Sequence, residues 1–398
     1  MRYFFKRDTI LATISVFIVI LIVGVLPLNM HALSPIKLVL SDISFNDLAF
    51  SPQNAQNMPK DDRIAIINID TLQRQGIADL INKLESFSPT AIGLDVLFLE
   101  HKDSAIDNYL LQTLKAYPNI VTSEQLEWQE NKTHNTDKPA VYNMFRNENL
   151  KAGYVNFIGE DSGVIRYYSP FEKGNDYNYT AFSSAIVKVA NPDAYNTLLK
   201  RDKETEWINY KRTADQYYIF NADDILHNST DSSFFKNKIL LVGFYSSNPN
   251  YIEDKHFTPL NKKFVGKSIP DMDGIVINAN IISMVLDKAY IHKSPLWFNI
   301  LLAVFITWIS FAIFLHFYLH RHLSFYIVVP IIQLLSAIVS IYVSILLLRF
   351  LKVNIDFTLS VLAIIIAIEV FHFYEALALG LHKKYRYKTI FTTKTHPK

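Results

Sequence analysis

Four long apolar runs constrain what this chain of 398 residues can fold into more than any other feature. Residues 10–28 carry no charge and follow Arg2, Lys6 and Arg7; their 19 residues approach the roughly 20 that a membrane-spanning helix needs. The run is longer than the roughly 7–15 residues of a signal-peptide core. Leu28-Asn29-Met30-His31 offers no small-residue cleavage site, so an uncleaved anchor is expected. Residues 297–319, 325–348 and 355–379 are each long enough to cross a hydrocarbon core of about 30 Å. Four transmembrane α-helices follow, dividing the chain into an anchor over 1–28, a large domain over 29–296, three spans over 297–379 and a short basic tail over 380–398.

Composition and charge agree with this division. Hydrophobic residues make up 50% and charged residues 19%, the latter below the roughly 25% of an average globular chain. The absence of cysteine excludes thiolate chemistry, and a net charge of +2 supplies no basic field for nucleic acid. Lys and Arg near the span ends set the orientation. Arg2, Lys6, Arg7, Arg321 and the tail residues Lys383, Lys384, Arg386, Lys388, Lys394 and Lys398 fall on one side, opposed only by Arg349 and Lys352. Both termini are therefore expected in the cytoplasm, with the large domain outside and the tail solvated.

Within the large domain the apolar pattern alternates between strand and helix periods. Residues 64–70 read as a buried strand. Leu72, Ile77, Leu80, Ile81, Leu84 and Phe87 fall on one helical stripe that must end before Pro89. Further strands are expected over 90–98, 120–121 and 238–243, and helices over 109–117, 180–190 and 275–286. Residues 207–210 and 217–220 are candidates for a hairpin. Residues 122–150 read as a long polar loop. The alternation predicts an α/β fold, a doubly wound mixed sheet in the external domain.

Seven segments occur in an order that is familiar. They are Arg63-Ile-Ala-Ile-Ile-Asn-Ile-Asp70, Ala91-Ile-Gly-Leu-Asp-Val-Leu-Phe98, Gly153-Tyr-Val-Asn156, Asp161-Ser-Gly-Val-Ile-Arg166, Lys238-Ile-Leu-Leu-Val-Gly243, Asp254-Lys-His-Phe-Thr-Pro259 and Gly274-Ile-Val-Ile-Asn-Ala279. Together they resemble the extracytoplasmic sensory domain called CHASE, second class, and the layout of one anchor before the domain and three spans behind it is similar too. The resemblance implies a sensor module in the bacterial cytoplasmic (inner) membrane, coupled to a kinase-like or cyclase-like output. About 19 residues follow the fourth apolar run, so the output is expected on a separate partner protein. The family pattern has a histidine where this chain has Asn278.

In open α/β sheets, ligands settle outside the carboxyl ends of the strands. Asp70 and Asp95 lie in the carboxyl halves of expected strands, and Gly243 opens the loop toward Asp254 and His256. With Asn156 and Arg166, these residues are candidates for a small-ligand pocket in which Arg166 pairs an acid. Two other readings compete. Paired carboxylates with His256 suit a divalent cation, and the same residues suit helix caps and internal ion pairs. No phosphate loop, Gly-X-Ser-X-Gly elbow or His-Glu-X-X-His is present, so neither catalysis nor a cofactor is expected.

In the membrane, Glu369 and His372 of the fourth span and Gln333 of the third are candidates for contact with a partner helix, because ionisable and polar groups at such depth default to function. The functional expectation is a non-enzymatic sensor that recognises a small ligand or envelope component and relays its state to a separate protein. The alternative is a structural or interaction subunit of an envelope complex with no ligand of its own. That alternative draws on Tyr167, Tyr168, Tyr177, Tyr179, Tyr217 and Tyr218 as candidate surface aromatics.

Overall fold

Isoleucine-rich and valine-rich runs of about five residues, which favour the pleated and fully buried backbone of a parallel sheet, build the centre of the larger unit. The computed structural model describes residues 3–25, 47, 49, 50, 55, 57–128, 139–157, 163–173, 178–261, 269–320 and 322–393. They fall into two units, Leu38–Ile291 and the paired segments Met1–Lys37 and His292–Lys398. In chain order the main elements begin with α1 (Arg7–Val25), β1 (Ile64–Asn68), α2 (Arg74–Glu85), β2 (Ala91–Asp95), α3 (Ser104–Ala116), β3 (Ile120–Trp128), β4 (Pro139–Tyr142) and β5 (Ala152–Tyr154). They continue with α4 (Phe182–Ala190), α5 (Pro192–Leu199), β6 (Tyr218–Asn221), α6 (Ala222–Leu226), β7 (Ile239–Gly243), α7 (Gly274–Leu286), α8 (Leu296–His320), α9 (His322–Leu351) and α10 (Thr358–Tyr385).

The α/β unit carries a seven-stranded sheet in the order β6-β1-β7-β2-β3-β4, with β5 also on β3. Every pairing is parallel except β3 with β4. β7 lies between β1 and β2, with Asn68 opposite Gly243 and Gly243 opposite Asp95. All five residues of β7 are buried, as strands covered on both faces require. One face packs Ala65, Ile67, Leu240 and Val242 against Ile77, Leu80, Ile81 and Leu84 of α2 and Leu110 of α3. The other face carries α4 and α7. Gly153 of β5 permits α4 to approach, since a Cβ there would stand 2.6 Å from the Phe182 Cα.

The expected strands and helices are present with shifted ends, α3 starting at Ser104 ahead of the expected 109 and β3 running to Trp128 beyond the expected 121, and three readings are corrected. The supposed loop over 122–150 includes most of β3 and all of β4, because Gln125 to Trp128 pair antiparallel with Pro139 to Tyr142. The supposed hairpin does not form: Trp207 pairs antiparallel with Tyr167, whereas β6 joins β1 in parallel as an edge strand. Asn191-Pro192 ends α4 as expected but also starts α5, the Asn191 side chain accepting from the Ala194 N–H at 3.0 Å and Pro192 occupying the first helical turn.

The second unit is helical. Among the described residues three helices are long and apolar enough to cross a membrane, Leu296–Leu319, Ile327–Leu351 and Thr358–Tyr385, one fewer than the four spans expected. α1 packs with them, Ala12 and Val16 sharing a buried cluster with Phe311 and Phe314 of α8 and Ala363, Ala367 and Phe371 of α10. Small residues at these contacts let the backbones approach. The tail is not simply solvated. Phe391 is buried in the same cluster, and the buried Asp8 carboxylate accepts hydrogen bonds from Tyr374 Oη at 2.9 Å, Thr389 Oγ1 at 3.1 Å and the Ile390 N–H at 3.1 Å.

One ion network fastens β1 to α7 in the α/β unit. Asp61 accepts from Arg63 Nε at 2.8 Å and Nη2 at 2.7 Å and from Ser283 Oγ at 2.8 Å, with Arg212 Nη1 at 3.4 Å. Burial pushes the Asp61 carboxyl up, but the bonds from Arg63 and Ser283 and the charges of Arg63 and Arg212 outweigh it and hold the group at about 2. Asp61→Asn is expected to destabilise the unit by about 2–4 kcal/mol at pH 7, since it removes the negative charge facing Arg63 and the buried Arg212 and one of the two oxygens that accept from Arg63 and Ser283. A depressed folded pKa contributes stability above the unfolded pKa, so the gap between wild type and variant should narrow as pH falls from about 4 toward 2. Thermal melting followed by intrinsic fluorescence across that range tests both statements.

Candidate functional site

Because β7 and β2 are parallel and in register, their last residues, Gly243 and Asp95, end side by side. A Cβ on Gly243 would stand 3.0 Å from the Asp95 Cβ, its carbonyl oxygen and Ile275 Cδ1, so glycine lets β7 end close to both β2 and α7 without displacing either. Outside these ends lies a cavity of about 440 Å3. Asp95 and Leu97 line it from β2 and the loop that follows, and Asn156 and Phe157 from the segment after β5. Phe244 and Asp254 come from the chain that leaves β7, and Asn278 comes from α7.

A two-stranded ribbon holds the far wall. Lys255–His256 pairs antiparallel with Met272–Asp273, so Lys255 and His256 project to opposite sides. Lys255 Nζ bonds Asp273 Oδ2 and the Ser246 carbonyl, each at 2.7 Å, while the His256 ring stands edge-on to Phe157 at 5.3 Å. The Asp254 carbonyl accepts from the Gly274 N–H at 3.2 Å. Two residues beyond the ribbon, Thr258 donates its N–H and hydroxyl to Asp271 at 2.8 and 2.6 Å.

Asp95 is the electrostatic centre. Its carboxyl is pushed up to about 7, first by burial and then by the neighbouring Asp254 charge, with the Asn278 amide at 3.5 Å partly offsetting both. Asn278 thus provides a neutral donor to Asp95 at the position where the resembling pattern has a histidine.

Four of the six expected ligand residues, Asp95, Asn156, Asp254 and His256, line this cavity. Asn156 also ties two strands, its amide group exchanging bonds with the Leu126 N–H and carbonyl at 2.8 and 3.0 Å. The structure does not bring Asp70 and Arg166 to them. Asp70, with a positive φ of 46°, lines a separate cavity of about 490 Å3 beside Asn221, Asp223 and Asp224. Arg166 is paired with Asp47 through Nε at 2.9 Å and Nη2 at 2.6 Å. Asp161 lies outside the described residues. Among the described residues no group of three His, Asp or Glu side chains is placed to hold a metal ion.

Sequence reasoning missed Phe157, Phe244, Tyr251 and Glu253, which also line the cavity. Their signal was adjacency: each stands within three residues of a chosen residue or of Gly243. In the helical unit, Gln333 Nε2 donates to the Ile364 carbonyl and, at 2.7 Å, to that of Ile365, so it braces α9 on α10. His372 Nδ1 lies 4.0 Å from Glu375, and Glu369 is exposed on the bundle surface. The surface-aromatic expectation is corrected: Tyr168, Tyr179 and Tyr217 are buried, Tyr167 and Tyr218 are half-buried, and Tyr177 lies outside the described residues.

A largely parallel α/β unit with a polar cavity at its carboxyl edge, in one chain with three apolar helices of membrane-spanning length, is the layout of a membrane protein with one α/β domain. A family model described as the CHASE2 domain matches residues 16–316, and the chain belongs to that family of extracellular sensory domains. Searches of curated proteins and of solved structures each gave no match.

A raised carboxyl binds its proton more tightly folded than unfolded, so it favours folding least above its folded pKa. Asp95→Asn is therefore expected to raise the melting temperature at pH 8 by several degrees, corresponding to about 1–3 kcal/mol. The gain should shrink toward pH 5, where Asp95 is already protonated. Melting curves at the two pH values check this.

Proposed function

We propose that this chain is a non-enzymatic membrane sensor whose α/β unit takes up a small ligand in the cavity outside β2 and β7, and whose helices relay the occupied state to a separate protein. The observation that carries the reading is the cavity itself. It lies where open α/β sheets bind ligands and presents carboxylates, amides and aromatic rings in a family of sensory domains. Asp95, Asp254, His256 and Asn156 are its recognition residues in this reading, and Asp70 and Arg166 stand apart from it.

In the same reading α1 is a fourth span. Ile14, Ile18, Leu21 and Ile22 of α1 are exposed at helical spacing, as are Ile331, Leu334, Leu335 and Ile338 of α9, and surfaces of this kind suit lipid. The Lys and Arg distribution supports a bacterial cytoplasmic membrane topology with both termini inside and residues 29–296 on the outer side. Glu369 is the contact with the partner. It lies about 17 Å along α10 from Thr358, near mid-membrane and on the outward face, where a carboxylate needs a polar partner.

Gly274 provides a direct test, because a Cβ there meets His256 and Phe157 at 3.5 Å, ordinary contact distance, so a longer side chain fills the cavity without backbone strain. Full-length protein extracted from native membranes in mild detergent is expected to retain a small molecule visible by mass spectrometry. Gly274→Leu should lose it. The wild type should also co-purify with a membrane protein in fixed ratio, and Glu369→Gln should lower that recovery severalfold. A fixed-ratio partner with no small molecule, or equal retention by Gly274→Leu, would favour the structural-subunit alternative.

A further inference from the structure

Ligand class is legible in the charges and rings of the cavity lining. Three carboxylates line it, Asp95, Glu253 and Asp254, and among the described residues the lining includes no lysine or arginine. The nearest ammonium along the chain, that of Lys255, is held on the other side of its ribbon by Asp273 and the Ser246 carbonyl. The amino end of α7 opens here and carries the equivalent of roughly half a positive charge. That half charge and a protonated His256, which also lines the cavity, together fall short of the two charges of Asp254 and Glu253 even when Asp95 holds a proton, so the described lining stays net acidic and disfavours an anion.

Aromatic rings make up much of the remaining wall. Phe157, Phe244 and Tyr251 line the cavity, with the Phe244 and Tyr251 rings 5.0 Å apart and inclined at 45°. Tyr251 donates its hydroxyl to Glu253 Oε2 at 2.8 Å, which holds that carboxylate beside the ring. Ring faces carry negative electrostatic potential, and with carboxylates they form the environment that selects an ammonium group over a neutral or acidic one. A bare divalent ion is the weaker candidate, since among the described residues no three ligating side chains converge.

We propose that the cavity binds a small organic cation, an amine or quaternary ammonium compound, with its charge at Asp95 and Asp254 and its alkyl surface against Phe157, Phe244 and Tyr251. This rests on the reading of the cavity as the ligand site. Occupancy then depends on pH, because Asp95, with Asp254 and Asn278 as the charged and polar groups facing it, ionises near neutrality and attracts the cation more strongly above that point.

The test is calorimetric titration of the full-length protein in detergent at pH 8 with choline and with putrescine, and with citrate and glucose as acidic and neutral probes. At least one of the two cations is expected to bind saturably. Its affinity should fall tenfold or more in Asp254→Asn, in Tyr251→Leu and at pH 5.5, disappear in Gly274→Leu, and stay unchanged in Asp224→Asn, which alters the other cavity. Tyr251→Leu keeps the test decisive if Asp254→Asn fails to fold. Citrate or glucose binding that Gly274→Leu abolishes, without cation binding, would overturn the ligand class and leave the cavity reading standing. Cation binding unaffected by Gly274→Leu, or no binding of either cation, would overturn the proposal.

Discussion

The placement of β7 between β1 and β2 is the constraint on which the α/β unit depends. A strand bonded on both edges and covered on both faces has no position for a polar side chain, and Ile239 to Val242 satisfy that demand. Where the strand ends the demand reverses, because its terminus must lie against Asp95 of β2 and Ile275 of α7. Gly243 satisfies it by lacking a Cβ. The same packing that completes the core thus brings a carboxylate to the floor of a cavity, where burial and Asp254 lift its pKa toward neutrality. Fold and site are consequences of one insertion.

The helical unit follows a different rule. Its buried contacts join α1, α8 and α10 largely through small and aromatic side chains, and many of its large aliphatic side chains, such as Ile14, Ile18, Ile331 and Leu334, project outward. At one end of the unit Asp8 holds Tyr374, Thr389 and the Ile390 N–H together. Trp308 Nε1 donates to the Phe4 carbonyl at 2.8 Å. Glu369 differs from these groups in facing outward part-way along its helix, and for that reason it carries the proposed partner contact.

Patterns that depend on local periodicity were legible in the sequence. The apolar run of β1, the stripe on α2 and the lengths of the three long helices need only the spacing of apolar residues. Partner choice was not legible. Tyr218 to Asn221 and Trp207 each read as short strands, but nothing in their own residues says that one joins β1 and the other pairs with Tyr167. The length of β3 beyond the expected 120–121 was hidden because Thr122, Ser123, Glu124 and Gln125 are polar, although the first three are buried by long-range packing. Among site residues, Asp95, Asp254 and His256 followed from the rule that ligands gather at carboxyl ends of strands. Asp70 obeys the same rule yet faces a different cavity, and Arg166 is engaged by Asp47, over a hundred positions away in the chain. The ring-bearing residues Phe244 and Tyr251 carry no local signal of the cavity that they line.

The central claim is that the cavity beyond β2 and β7, rather than the one beside Asp70, receives the ligand of a membrane-anchored sensor. Amide hydrogen exchange of the full-length protein in detergent, with and without the small molecules extracted from its native membranes, tests it most directly. The account predicts added protection over residues 95–97, 154–157, 253–256 and 274–278, with residues 68–73 and 221–224 unchanged. Protection confined to the latter two segments, or absent from both sets, would contradict it.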